Sequence, residues 1–119
     1  MSKKIEMFQD KESLILAIHF YLKNENAIDS GKVVGRRILE ILEQEENKNC
    51  SIYEIWQKLY FEMGLLKQSS EQLRLQAIKA TNPTVRKKLR QEGKLIYREA
   101  LLLSKIQYAL LDNRYFNEV

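Results

Sequence analysis

Cysteine, histidine, tryptophan and proline each occur once in this 119-residue chain, and glycine only four times. A single cysteine, Cys50, excludes an internal disulfide framework. With His19 as the only histidine, no paired Cys and His ligands stand at the short spacing of a zinc site. So little Gly and Pro leaves few turn signals for a many-stranded β protein or a long flexible linker. Long apolar runs are lacking too: the longest, Leu14 to Leu22, contains His19 and falls short of the roughly 18–20 residues of a membrane span. The opening segment MSKKIEMFQDKESLILAIHF runs charged and then apolar, with no small-residue cleavage site. The expectation from these absences is a soluble, cytoplasmic chain with no membrane partner.

What is present favours helix. Hydrophobic residues make up 45% and charged residues 30% of the chain, enough apolar surface to close one core in a single domain spanning 1–119. Asp10 is placed to cap a first helix that runs to about Lys23, in which Leu14, Ile15, Ala17, Ile18, Tyr21 and Leu22 leave little polar face and predict a mostly buried element. After a turn-like stretch from Asn24 to Gly31, Val34, Ile38, Ile41 and Leu42 recur at the three-and-four spacing of an amphipathic helix, opposite Arg36, Glu40 and Glu43. Ser51 and Glu54 form a capping box before Ile52, Ile55, Trp56, Leu59 and Met63. Ser69 and Gln72 repeat that pattern before Leu73, Ala77 and Ile78, which predicts a separate shorter helix unless the third runs on through it. Asn82-Pro83 pairs a favoured N-cap with a residue suited to the first helical position, and opens a last helix to about Leu111. In its first half, Val85, Leu89, Ile96, Ala100 and Leu103 share one face. Leu101, Leu102, Ile106 and Ala109 add apolar residues on other sides further on. The fold expected is all-α, a compact bundle of about five helices.

No catalytic set assembles from these residues. Cys50 and His19 lie far apart and read as packed residues, His19 at the core or its boundary. SGKVVG, with Gly31, Lys32 and Gly35, lacks the spacing and the preceding strand of a phosphate loop, so its glycines read as turn and helix-packing positions. Glu43, Glu45 and Glu46 lack the Asp and Gly turn ligands of a calcium loop and read as a solvated helix end. Arg36 and Arg37 precede Glu40 by a helical turn and are expected to pair within their own helix. The chain is therefore expected to be non-enzymatic, without metal or cofactor.

Charge is the informative feature. Residues 1–62 carry nine Lys and Arg against eleven Asp and Glu, whereas residues 63–119 carry eleven against five, so the second half is the basic one. At about 100° per residue, Arg86, Arg90, Lys94 and Arg98 sweep one side of the last helix with Lys87 between them, opposite Val85, Leu89 and Ile96. Cations near a helix N-terminus oppose the macrodipole, so the helix itself gains little from them. A phosphate backbone would be attracted by the side chains and the helix end together. Tyr97, on the same side, offers a ring on which a base can stack, and Arg74 and Lys79 extend the basic patch onto the preceding segment. Sequence-specific reading has less support: in LYFEMGLLKQSSEQLRL, Gly64 suits the turn of a helix-turn-helix, but Tyr60 is too bulky for the helix crossing and Ser70 stands where an apolar residue is needed. The expected function is backbone contact without base reading, and the competing class is an interaction module, an inhibitor or immunity-type protein, that binds an acidic protein surface.

In length, helical class and charge the whole chain resembles the small subunits of multi-subunit CRISPR interference (Cascade-like) complexes, a component of antiviral defence. That resemblance implies a ribonucleoprotein assembly in which Arg86, Arg90, Lys94 and Arg98 contact RNA or DNA backbone, while the apolar end of the last helix meets other protein subunits, copies of itself included. Phage-encoded helical inhibitors and small immunity proteins share the same gross features.

Overall fold

The structure, a computed structural model, describes residues 10–112 and 114–116. They form four α-helices, α1 (Lys11–Lys23), α2 (Asp29–Glu43), α3 (Ile52–Lys79) and α4 (Pro83–Leu111), with a short 3-10 turn at Glu45–Asn47 and no strand among the described residues. The class is all-α, with four helices where about five were expected. None of these helices is long and apolar enough to cross a membrane.

Three of the helix starts follow from their cap residues. Asp10 Oδ1 accepts from Ser13 N at 2.7 Å and opens α1. Ser51 Oγ accepts from Glu54 N at 3.1 Å while Ser51 N donates to Glu54 Oε1 at 3.4 Å, the reciprocal capping box of α3. Asn82 Oδ1 accepts from Thr84 N at 2.8 Å and Val85 N at 3.3 Å, and Pro83 takes the first helical position of α4. The second Ser/Gln pattern starts nothing. α3 continues unbroken through Ser69 and Gln72, because Gln, Leu, Arg and Ala are good helix formers, and the neighbouring Ser70 hydroxyl donates across to Gly93 O of α4 at 3.0 Å. The unbroken helix also passes through Gly64, which leaves no turn for a helix-turn-helix.

Where the sequence reads as one bundle, the chain groups into two compact units, one of Met1–Lys58 with Lys105–Val119 and one of Leu59–Ser104. The first holds α1, α2 and the outer ends of α3 and α4 around Leu14, Ile18, Val34, Ile38, Ile55, Ile106 and Leu110, all fully buried. Its two glycines are packing positions: a Cβ on Gly31 would overlap the Tyr21 phenol, 2.8 Å from Cζ, and one on Gly35 would meet Ile18 Cγ2 at 3.1 Å. The α2 face is buried as its spacing predicts. The expectation of a mostly buried α1 needs correction, because Leu16, His19 and Phe20 face solvent on the side opposite Leu14 and Ile18.

The second unit is an antiparallel hairpin of the remaining parts of α3 and α4. Its seam contains Leu73 and Ala77 of α3 and Gly93, Ile96, Ala100 and Leu103 of α4, buried or half-buried. Two helices share only one seam, so apolar residues away from it stay exposed, among them Phe61, Leu65, Ile78, Val85 and Leu95. Val85, assigned to the core face from its spacing, is exposed.

Candidate nucleic-acid interface

The charge asymmetry of the sequence coincides with the two units. Leu59–Ser104 carries nine Lys and Arg against four Asp and Glu, a net +5, while the rest of the chain carries eleven against twelve, a net −1. Within α4, at about 100° per residue, Glu92 and Glu99 project roughly opposite to Arg90 and Lys94.

The basic flank is concave. A groove of about 530 Å³ runs along it, with Ser70, Glu71 and Arg74 contributed by α3. Leu89, Arg90, Gly93, Lys94, Tyr97, Arg98 and Leu101 of α4 form the rest of its lining. Five of the residues singled out from the sequence thus meet in one place: Arg74, Arg90, Lys94, Tyr97 and Arg98. Arg90, Lys94 and Arg98 are exposed, and among the described residues none of the three has an ion-pair or hydrogen-bond partner.

Arg74 behaves differently. Its guanidinium binds the Glu71 carboxylate in a bidentate pair, Nε to Oε2 at 3.0 Å and Nη2 to Oε1. That hydrogen bond holds the Glu71 carboxyl below its ordinary pKa and raises that of Arg74. The α3 wall is therefore close to neutral, and the only carboxylate lining the groove is balanced. Replacement of Glu71 by Gln is expected to free Arg74 for an external anion and to tighten polyanion binding a few-fold, with a salt dependence steeper by up to about 0.9 in log–log slope. Affinity unchanged across a salt series would show that Arg74 does not face the ligand.

The other three candidates stand outside the groove. Arg86 is half-buried, and its guanidinium donates to Ala80 O from Nη2 at 2.7 Å and from Nε at 3.3 Å. It ties the first turns of α4 to the Ala80 carbonyl just past the end of α3, a structural role that the sequence did not disclose. Lys87 and Lys79 are exposed but do not line the groove. What the sequence reading missed is the α3 wall. Glu71 and Arg74 at a spacing of three signal their pairing, but nothing local signals that Ser70 meets Gly93.

Elsewhere the described residues hold no group of three His, Cys, Asp or Glu able to share a metal ion. Glu45 pairs with Lys48 at 2.7 Å and Arg37 with Glu40 at 3.5 Å. Cys50 is half-buried, its Sγ 3.2 Å from Lys58 Nζ, whereas His19 is exposed and belongs neither to the core nor to a site. In the first unit, a smaller cavity of about 230 Å³ lies among Tyr21, Ile28, Gly31, Tyr108, Asp112 and Tyr115. Its carboxylate is neutralised by Arg114, at 3.0 Å from Nε to Oδ1 and 2.9 Å from Nη2 to Oδ2, and burial pushes the Tyr115 phenol above its ordinary pKa. It is an uncharged aromatic pocket, unlike the cationic groove. Comparison of the chain with protein-family models, with curated proteins and with solved structures gave no significant match.

Proposed function

We propose that this chain is a non-enzymatic nucleic-acid-contacting subunit that holds phosphate backbone in the groove of its α3–α4 hairpin. The observation that carries this reading is the set of three unpartnered cations, Arg90, Lys94 and Arg98, on one wall of a groove whose single carboxylate is already balanced by Arg74. Cations one helical turn apart repel one another, and a polyanion relieves that repulsion. Exposed apolar residues on the outer side of α3, Phe61 and Leu65 among them, support a place in a larger ribonucleoprotein assembly, as the likeness to small subunits of CRISPR interference complexes implies.

Such contacts release condensed counterions, so affinity must fall with salt. Three contacts predict a log–log slope of about −2 to −3, at about 0.7–0.9 per phosphate, with little change between unrelated sequences. A fluorescence-anisotropy titration of random-sequence oligonucleotides at several salt concentrations measures that slope. Absence of binding at low salt, or equal competition by polyglutamate, would replace this reading with that of a module for acidic protein surfaces.

A further inference from the structure

The groove has more than charge. Below its cationic rim lie Leu89, Leu101 and the ring of Tyr97, which is 48% exposed. Its volume of about 530 Å³ falls within the roughly 300–1,000 Å³ of pockets that bury small organic groups. The Ser70 hydroxyl is already committed as a donor, to Gly93 O at 3.0 Å. What the floor offers a ligand is therefore apolar area and one aromatic face, and what the rim offers is positive charge.

A duplex satisfies only half of that description. Its bases are stacked inward, so it lays phosphates on Arg90, Lys94 and Arg98 but leaves Tyr97 and the leucines wet. An acidic peptide has the same shortfall, because carboxylate side chains bring charge without a flat apolar surface. A single strand brings both, with bases free to leave the stack and phosphates attached beside them. From this we infer that the groove takes single-stranded nucleic acid, with a base lodged on Tyr97 against Leu89 and Leu101, and the flanking phosphates on the three cations of α4. The inference rests on the proposed backbone-contacting function and narrows it to one strand state. Sequence preference stays weak, because every base has a π-face on which stacking does not read the base edge.

The test compares labelled 20-mers at one salt concentration: single-stranded DNA, single-stranded RNA of the same sequence, their duplexes, and a DNA strand of equal length without bases. Both single strands are expected to bind about tenfold or more above the duplexes and the abasic strand. Tyr97→Ala should weaken single-strand binding by about five- to 150-fold, the range of one lost base stack, toward the abasic level. The salt slope should stay as in wild type, and Tyr97→Trp should retain binding. If duplexes and the abasic strand bind as tightly as single strands, or if Tyr97→Ala changes nothing, the inference fails while the backbone-contacting function stands. If no polyanion binds, or polyglutamate competes equally, both fail. A difference between the DNA and RNA arms identifies which strand is the natural source. The abasic arm requires no variant, so it decides the matter even if Tyr97→Ala perturbs the fold.

Discussion

Replacing both Arg90 and Lys94 with Glu is expected to weaken binding of unrelated oligonucleotides about a hundredfold at low salt and to leave the fold intact. Two charge-assisted contacts of about 1.5–3 kcal/mol each would amount to more than that in a dry site, and solvent screening at this exposed groove reduces it. The log–log salt slope should flatten by about 1.4–1.8, which distinguishes lost phosphate contacts from a general loss of active protein. Both side chains are exposed and without partners, so circular dichroism and thermal unfolding should stay within the roughly 0.5 kcal/mol typical of surface substitutions. Wild-type binding by the double variant would reduce the basic flank to a solvated surface. A folding defect would instead assign those side chains a structural role.

Much of this hairpin was legible in the sequence, for identifiable reasons. Asn82-Pro83 and Ser51-x-x-Glu54 act locally, so their cap bonds form as the spacing predicts. The phase of α4 was legible too, because Arg90, Lys94 and Arg98 recur at the helical period. Periodicity reports which residues share a face and is silent on whether another helix covers it. Val85 was therefore assigned to a buried face, although it is exposed. The Ser69–Gln72 pattern failed for a related reason: a capping box and a helix interior can carry the same residues, and here α3 runs on through both. The groove needed tertiary contact between α3 and α4. Arg74 was recognised as a nearby cation and its spacing from Glu71 signals their pairing, but its place in one groove with Lys94 depends on how two distant segments meet.

The largest stability effect expected from a single polar substitution lies away from the groove, at Asn47. This side chain, only 5% exposed, sits in the 3-10 turn between α2 and α3. Its Nδ2 donates to Ile41 O at 2.9 Å, a carbonyl in the last turn of α2 that also accepts from Gln44 N, and to Gln44 Oε1 at 3.1 Å. Its Oδ1 accepts from Lys58 Nζ at 3.1 Å, and its backbone carbonyl accepts from Lys11 Nζ at 2.7 Å, so one residue links α1, α2 and α3 within the first unit. Leu has similar volume but neither donor nor acceptor. Asn47→Leu removes the second donor to the Ile41 carbonyl, which keeps its bond from Gln44 N, together with the bond to Gln44 Oε1 and one of the Lys58 acceptors, and each lost bond costs about 0.5–1.5 kcal/mol net. The sum expected is about 1–3 kcal/mol, measured as a lower urea midpoint at unchanged m-value. Lys58→Met should cost less, because Lys58 is exposed and its other partners, Cys50 Sγ and Glu46 O, are surface groups that water can satisfy. A double-mutant cycle between the two positions should give a coupling of at least about 0.5 kcal/mol. Since Asn47 belongs to the first unit and the groove to the second, the folded fraction of Asn47→Leu should bind oligonucleotides with wild-type affinity and salt slope. Stability unchanged by Asn47→Leu would mean that water replaces its bonds and that the turn is held by its apolar neighbours alone.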